Sequence, residues 1–447
     1  MGLKLIHNAS VVNEGSIKTA SVIIDDDIIT GIYSVDSVPK FDFTEVIDGY
    51  GKYLFPGVID DHVHFREPGL THKGTINSES HSAAAGGVTS VFDMPNCIPQ
   101  TTTINALHAK QTIASTSSVV NYSFYIGATK NNLDEISEID PKRTCGIKLF
   151  MGSSTGDMLL DNRGAIKDLF KMATIPVAAH CEDSTIINRN INKFTKELGH
   201  EPPISYHPLI RSEEACYAST SKALEIAAGT NVKLHILHIS TAKELSLFSK
   251  GPIGQKQFTA EVCPAHLYFT DSDYERLGAR IKCNPAIKTI NDRQALRQAL
   301  TNGKIDLIGT DHAPHLLSEK EGGCLTASSG MPILPYSLPI MLELSDLGTL
   351  TLQDIARLMS HNPATLFKVK HRGYIREGYK ADLTLVSRSD SGYTVNQNGL
   401  LNKCQWSPFE GVQMHWKVES TWVNGNQVYS DGQFYDKIFG EQIEFSR

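Results

Sequence analysis

Asp61-His62-Val63-His64-Phe65-Arg66-Glu67-Pro68-Gly69 lies just after the apolar run Leu54-Phe-Pro-Gly-Val-Ile59, which is typical of a buried strand. Side chains two residues apart share one face of a strand, so His62 and His64 are predicted to point at one metal ion. Because a lone His-x-His pair is more often structural or incidental, the rest of the chain has to supply further ligands before the pair indicates a metal site.

Further ligand-type residues stand at the ends of other apolar segments. They are Lys148, His180, His238 and Asp311, which end segments that begin at Cys145, Ile175, Val232 and Ile305. In a barrel of parallel strands the carboxyl ends converge on one mouth, where the chemistry of such barrels is found. Together with the histidine pair, the pattern predicts five strand ends around one shared site.

The middle of the chain alternates candidate strands with helical or polar stretches. The strands are predicted near 56–64, 88–95, 118–127, 145–151, 175–182, 232–240, 258–264 and 304–314, with helices such as 103–115, 163–173, 211–229 and 291–302 between them. Eight βα units over about 310 residues fit an α/β fold of the (β/α)₈ TIM-barrel type. A doubly wound open sheet is the competing architecture, but no G-x-G-x-x-G follows a predicted strand.

The two ends of the chain differ from the middle. Residues 1–53 and 370–447 contain short alternating strands, such as Leu3–His7 and Ala381–Val386. Neither end could easily bury a core by itself. We therefore predict that both ends pair into one small β-sandwich-like domain beside a barrel that spans residues 54–369.

Composition limits the classes of function. The chain has 447 residues, 40% apolar and 20% charged, and a net charge of −7, which gives no basic footprint for nucleic acid. No apolar run approaches a membrane span and no signal-peptide pattern begins the chain. The eight cysteines contain no C-x-x-C and are typical of reduced cytosolic thiols, so we expect a cytoplasmic protein. The expected partner is a small-molecule substrate, without nucleic acid or membrane, and a homodimer is an option that the sequence leaves open.

The ligand types indicate the metal. Four histidines, one carboxylate and a lysine suit zinc or a similar borderline metal better than calcium or magnesium. Lys148 is the unusual member, because metal ions would repel its protonated form, so it either loses its proton or is chemically converted. Reaction of the neutral amine with carbon dioxide gives a carbamate, whose two oxygens could each bind one metal ion.

With this constellation the chain resembles the amidohydrolase superfamily and, within it, the dihydroorotase family of the lysine type. The resemblance runs from Asp48 to Gly425. It implies two zinc ions per subunit, bridged by N6-carboxylated Lys148 and a hydroxide. The protein ligands that it implies are His62, His64, Lys148, His180, His238 and Asp311.

The resemblance also assigns roles to these ligands. The pair His62 and His64 would hold the buried metal ion with Asp311, while His180 and His238 would hold the second. Two metal ions lower the pKa of a shared water and so provide a nucleophile near neutral pH. Asp311 would take its proton during attack on the ring amide carbonyl and pass it to the leaving nitrogen.

Substrate choice within the superfamily depends mainly on Arg66. Dihydroorotate carries a carboxylate, which a guanidinium can hold through two parallel hydrogen bonds. Hydantoinase-like and dihydropyrimidinase-like members lack the Phe65–Gly69 run, and allantoinase-like members have asparagine at the position of Arg66. Asn96, Asn284 and His315 match positions that orient the substrate in dihydroorotases.

Some residues depart from the family pattern, and two further histidines are not interpreted as metal ligands. Dihydroorotases commonly have two adjacent histidines where this chain has Ala265-His266, and residues 316–335 match the family's glycine-rich loop only loosely. The glycines of that loop and its place over the mouth favour a mobile cover. His235 is interpreted as structural, and His312 as a candidate partner of the metal ligands.

Three functions follow from these observations. The favoured one is dihydroorotase activity, the reversible cyclisation of N-carbamoyl-L-aspartate in pyrimidine synthesis. The second is another cyclic amidohydrolase, of the allantoinase or hydantoinase type, which would not require a carboxylate on its substrate. A non-catalytic scaffold is the third, but a scaffold would be expected to have lost ligands, and all six are present.

Overall fold

The computed structural model describes residues 2–152, 158–396, 400–435 and 440–447. Its strands are β1 (Lys4–Asn13), β2 (Ser16–Asp25), β3 (Ile28–Tyr33), β4 (Glu45–Asp48), β5 (Tyr53–Pro56), β6 (Val58–Val63), β7 (Val88–Asp93), β8 (Asn121–Phe124), β9 (Ile126–Gly127), β10 (Ile147–Met151), β11 (Val177–Cys181), β12 (Leu234–Ile236), β13 (Phe258–Val262), β14 (Leu307–Ile308), β15 (Leu383–Thr394), β16 (Gln413–Val423), β17 (Asn426–Ser430) and β18 (Gln433–Phe434).

The α-helices lie mainly between the strands of the central part of the chain. They are α1 (Ile76–Ala85), α2 (Ile104–Ser115), α3 (Leu133–Ser137), α4 (Arg163–Met172), α5 (Ser184–Leu198), α6 (His207–Ile210), α7 (Glu213–Ala227), α8 (Pro264–Tyr268), α9 (Tyr274–Leu277), α10 (Ile290–Thr301), α11 (Ser337–Asp346), α12 (Leu352–Ala356) and α13 (Asn362–Phe367). None of the described helices is both long and apolar enough to cross a membrane.

Strands β6 to β14 form the barrel. β6, β7 and β8 pair in parallel, and β9 to β14 pair in parallel in chain order. Only Tyr125 separates β8 from β9, and its N–H donates to the carbonyl of Asp93 at 3.1 Å. A parallel bridge between Val63 and His312 joins the first barrel strand to the segment after the last one. The predicted (β/α)₈ barrel is confirmed.

The sequence explains why these elements form. Every residue of β7, β10 and β11 is buried, as expected for barrel strands that face side chains inside and helices outside. Helix α4 shows the complementary pattern, because its buried residues Ile166, Leu169 and Phe170 recur on one face of the helix. The Asn162 side chain caps this helix by accepting a hydrogen bond from the Ala165 N–H.

The termini build the second part of the fold, as predicted. Their strands form one sheet in the order β18-β17-β16-β15-β5-β1-β2-β3, and β4 pairs with β1. The two ends meet where β5 pairs antiparallel with β15, which sets Leu54 opposite Leu385. Both residues belong to an apolar core that also contains Val22 and Trp422. The domain boundaries at 53/54 and 369/370 stay predictions.

Candidate metal centre and active site

A cavity of about 980 Å³ opens at the carboxyl ends of the barrel strands. Its wall includes all six predicted metal ligands and all four predicted substrate-binding residues. They are His62, His64, Lys148, His180, His238 and Asp311, with Arg66, Asn96, Asn284 and His315. Residues that lie far apart in the chain therefore share one concave site, because the parallel strands end on the same side of the barrel.

Two histidines and one aspartate converge at the bottom of the cavity. The Asp311 Oδ1 atom lies 3.3 Å from His62 Nε2 and 3.0 Å from His64 Nε2. The other nitrogen of each ring is held: His62 Nδ1 lies 2.9 Å from Glu261 Oε1, and His64 Nδ1 lies 2.7 Å from Asn96 Oδ1. When these oxygens accept from Nδ1–H, both Nε2 lone pairs face the shared point, as metal binding requires.

His180 and His238 converge in the same way. His180 Nδ1 and His238 Nε2 lie 2.9 Å apart, a distance that suits two ligands of one metal ion. The Glu182 carboxylate lies 3.0 Å from His180 Nε2 and also pairs with Arg211. The carboxylate thus fixes which nitrogen of His180 faces its neighbour.

Lys148 lies on β10 beside β11, which carries His180. Its side chain is 1% exposed, and its Nζ atom lies 4.8 Å from the centre of the Phe150 ring. Burial lowers the pKa of this lysine to about 8, although Asp311 and Glu261 oppose the shift. A neutral amine, which is the form that reacts with carbon dioxide, is therefore within reach near neutral pH.

The surrounding groups also set the charge states of the other ligands. Burial lowers the pKa of His64 to about 4, although Asp311 opposes this shift, and it lowers the pKa of His238 well below its ordinary value. Burial alone would raise the pKa of Asp311, but the charge of His62 and the hydrogen bond from His64 outweigh it and lower the pKa to about 2. Burial lowers the pKa of His62, but the carboxylates of Glu261 and Asp311 outweigh it and raise this pKa, so His62 has to give up its proton when a metal ion binds, whereas His64 and His238 are already neutral.

Three residues of the site have a left-handed backbone. The φ angles of Arg66, His238 and Asp311 are +68°, +40° and +51°. This region costs energy for residues with a side chain, and it persists only where the surroundings hold it. Part of the support for His238 is visible, because its N–H donates to Glu261 Oε1 at 2.9 Å. The strands therefore end in backbone turns that aim these side chains into the mouth.

Arg66 has hydrogen-bonding capacity left for a ligand. Its Nε–H donates to the Pro314 carbonyl at 3.0 Å, and within the described ranges no carboxylate forms an ion pair with it. His315 Nδ1 lies 3.0 Å from the Lys73 ammonium, so it accepts, and its Nε2–H then donates to the Ser329 carbonyl at 3.0 Å. Arg66 Nη2 also lies 3.0 Å from His315 Nε2, so one terminal amine of Arg66 faces this ring, while its Nη1 amine has no hydrogen-bond partner among the described residues and is left for a ligand.

The loop after the last barrel strand forms one side of the cavity, where residues 327–330 line it. Asn284 reaches the loop, since its Oδ1 accepts from Ser329 Oγ at 3.1 Å. The buried Lys320 ammonium donates to the carbonyls of Lys282, Ser328 and Gly330 at 3.0, 2.6 and 2.7 Å. This lysine anchors the loop over the mouth.

Sequence reasoning missed the two glutamates that orient the ligands. Glu261 could have been found, because it is the one charged residue of the buried strand β13, and a carboxylate in a buried strand needs a partner. Glu182 follows His180 by two residues and had no comparable signal. His312, predicted as a partner of the ligands, contacts one of them through its backbone, since its carbonyl accepts from the His64 N–H at 2.8 Å, while its side chain bonds to Glu79 at 2.9 Å and accepts from the Ile333 N–H.

Comparison with known proteins agrees with this geometry. The model of the amidohydrolase family matches residues 53–428. A dihydroorotase of Ehrlichia canis is 36% identical and covers 86% of this chain and 85% of that protein. An allantoinase of Desulfitobacterium hafniense is 30% identical and covers 98% of both. The structure of an L-hydantoinase (dihydropyrimidinase) from Arthrobacter aurescens superposes with a TM-score of 0.92 at 27% identity, covering 99% of this chain and 100% of that one.

The chain belongs to the amidohydrolase family, a metal-dependent family of hydrolases. It is an enzyme of the cyclic amide hydrolase class. His62, His64 and Asp311 form one group of candidate metal ligands, and His180 and His238 form a second pair, which together suit such an enzyme.

Proposed function

We propose that this enzyme is a dihydroorotase, which reversibly cyclises N-carbamoyl-L-aspartate to (S)-dihydroorotate with loss of water in pyrimidine synthesis. The observation that carries the proposal is Arg66. Its guanidinium lines the same cavity as the metal ligands and has no carboxylate partner among the described residues. A substrate with a carboxylate next to its cyclic amide would place that carboxylate on Arg66 and the amide at the metal ligands.

The names of the relatives support the same assignment. Dihydroorotases of Ehrlichia canis and Halobacterium salinarum are 36% and 34% identical to this chain, and each covers more than four fifths of it. The allantoinase match extends over as much of the chain, so overall similarity does not separate the two activities. Arg66 favours dihydroorotase activity over allantoinase activity, because allantoin carries no carboxylate for the guanidinium to bind.

The proposed cofactor is a pair of zinc ions bridged by carboxylated Lys148 and a hydroxide. The residues fit such a pair, since two separate groups of lone pairs converge, and a buried lysine without an ion-pair partner among the described residues lines the same cavity. The metal ions would supply Lewis-acid chemistry and a lowered pKa for water. Asp311 would accept and return the proton through its carboxylate, while Arg66 would hold the substrate and Asn96 would keep His64 in place.

A substrate panel tests this proposal. Dihydroorotate and N-carbamoyl-L-aspartate should be converted much faster than dihydrouracil, allantoin or unsubstituted hydantoin. Ring closure consumes one proton, because the open form has two carboxylates and the ring has one. The equilibrium ratio of ring to open form should therefore fall about tenfold per pH unit between pH 6 and pH 8. Preference for a substrate without a carboxylate, or a ratio that does not change with pH, would refute the proposal.

One observation favours a second candidate, hydantoinase activity. Apart from its polar floor, the cavity has an apolar wall that exceeds what dihydroorotate needs. Its residues include Leu70, Ile98, Ile187, Ile191, Ile210 and Leu325. An apolar substituent on the ring of a hydantoin would fit against such a wall. A 5-benzylhydantoin in the same panel separates the two activities, since the dihydroorotase proposal requires that dihydroorotate be preferred over it.

A further inference from the structure

A second cluster of metal-ligand residues lies behind the cavity floor. It consists of Asp61, on β6, His235, on β12, and Glu261, on β13, and all three side chains are fully buried. Asp61 and His235 do not line the active-site cavity. The cluster is linked to the active site through Glu261, whose Oε1 atom faces His62 while its Oε2 atom faces His235.

The distances within the cluster suit a shared cation. His235 Nε2 lies 3.3 Å from Asp61 Oδ2 and 3.7 Å from Glu261 Oε2. Two ligands on a tetrahedral zinc ion are separated by about 3.3 Å when each bond is about 2.0 Å. The Thr259 hydroxyl lies 2.8 Å from His235 Nδ1, so it can accept from Nδ1–H and leave the Nε2 lone pair facing the two carboxylates.

The atoms that face each other in this cluster form no hydrogen bonds with other described residues. Both carboxylate oxygens of Asp61, Glu261 Oε2 and His235 Nε2 are buried without a hydrogen-bond partner among the described residues. Buried polar atoms nearly always have partners, and unpaired buried carboxylates are especially costly. Two carboxylates, a neutral imidazole and a divalent cation together carry no net charge, so a cation would remove this cost.

The backbone leaves room beside both carboxylates. Gly309 lies next to the cluster, and a Cβ atom on it would stand 2.6 Å from Glu261 Oε2 and 2.9 Å from Asp61 Oδ1. Any other residue at position 309 would displace the carboxylates. The glycine thus preserves the arrangement in which the oxygens converge.

From these observations we propose that Asp61, His235 and Glu261 bind a third divalent transition-metal ion of the zinc type, separate from the proposed binuclear pair. Asp61 has both oxygens free and can bind through both, which completes four coordination with His235 Nε2 and Glu261 Oε2. The role is structural: the ion holds the Glu261 carboxylate, which in turn orients His62. The proposal depends on the proposed function only for the count of the other two ions.

The metal content of the enzyme tests the proposal directly. The full-length protein, produced in zinc-supplemented medium and freed of loosely bound metal, should contain three zinc ions per chain by elemental analysis. A crystal measured at the zinc absorption edge should show an anomalous peak between Asp61, His235 and Glu261. Two ions per chain without this peak would overturn the proposal, and the cluster would then hold protons, with His235 as an imidazolium between the carboxylates.

Variants assign the third ion to this cluster. Asp61→Asn should remove this peak and lower the count from three to two, because no hydrogen bond or ion pair among the described residues joins the Asp61 side chain to a ligand of the binuclear pair; the peaks of the pair should remain even where release of Glu261 shifts His62. The matched control is Glu244→Gln, a buried glutamate bonded to Thr220 and Thr241, which should retain three ions. A count of three in Asp61→Asn, or an equal loss in the control, contradicts the assignment.

If Asp61→Asn does not fold, the zinc count and the anomalous peak of the parent protein decide whether the third ion is present. The count does not depend on which substrate the enzyme converts, so failure of the substrate panel is a separate result.

Discussion

The barrel mouth and the terminal sheet use the left-handed backbone region differently. In the sheet it occurs at tight turns, such as Asn424 and Asp431, where short polar side chains tolerate it and little strain results. At the mouth it occurs at Arg66 and His238, which have larger side chains that line the cavity. Larger residues outside the cavity, such as Glu14 and Gln405, also adopt this conformation, so what distinguishes the mouth is that its left-handed residues carry side chains aimed at a ligand.

The two regions also bury different chemistry. The core of the terminal sheet is apolar and includes Ile6, Val22, Leu385 and Trp422. The mouth instead buries the charged and polar groups of the candidate metal centre. Substitutions at the mouth should therefore reduce catalysis, while substitutions in the sheet should reduce the stability of the fold.

The largest effect is expected for Lys148→Ala. Loss of the proposed bridge should abolish activity and lower the metal content, because no other described group at the site offers two oxygens between the two ligand sets. Small carboxylic acids such as acetate or propionate should partly restore activity by occupying the space of the carbamate. Activity and metal content are measured on the same preparation, and full retention of both would exclude a bridging role.

Asp311→Asn should have the second-largest effect on activity. Asparagine keeps an oxygen ligand but removes the proton acceptor, so turnover should collapse while most of the metal remains. Elemental analysis and steady-state kinetics of the variant separate the two contributions. Asp354→Asn, at a partly exposed carboxylate bonded to Arg357 away from the cavity, serves as the control and should keep most of the turnover. If turnover survives in Asp311→Asn, another group carries the proton.

Arg66→Met should have an intermediate effect that depends on the substrate. A charge-assisted hydrogen bond contributes about 1.5–3 kcal/mol, so kcat/KM for dihydroorotate should fall by about 10- to 150-fold per lost bond. Arg66→Lys should lie between the parent and Arg66→Met, because it keeps the charge and one bond.

Dihydrouracil is the matched control substrate, because it lacks the carboxylate. The parent should convert it poorly, and Arg66→Met should not make it worse. A general folding defect would depress both substrates equally. A variant that keeps its full preference for dihydroorotate would remove Arg66 from substrate recognition.

Much of the barrel and of the candidate site was predictable from the sequence. His62, Lys148 and Asp311 each end an apolar run, and the topology of a parallel barrel brings such ends together without further information. The histidine pair alone would not have sufficed. The inference depended on several ligand types repeating at the same place in successive strands.

The partners of the ligands were not predictable in the same way. His62 and Glu261 are 199 residues apart, and their contact exists only because the barrel closes. Asn96 was assigned to substrate orientation by resemblance, whereas its Oδ1 atom lies 2.7 Å from His64 Nδ1. A pattern of residue types indicates which groups reach a site, but distances between side chains decide which of them bond to each other.

The smallest effect on catalysis is expected for Leu385→Ala in the terminal sheet. Leu385 is 1% exposed and packs in the apolar core opposite Leu54, so truncation should lower the free energy of unfolding by about 2–5 kcal/mol. Ile17→Ala on the same sheet is the control, because this side chain is 39% exposed and should change stability by less than about 0.5 kcal/mol. Chemical denaturation measures both changes.

At a temperature where both variants remain folded, kcat/KM for dihydroorotate should equal that of the parent, since no residue of the terminal core lines the cavity. A stable Leu385→Ala protein with reduced kcat/KM would show that the sheet and the mouth are coupled, and the separation between the two regions would fail.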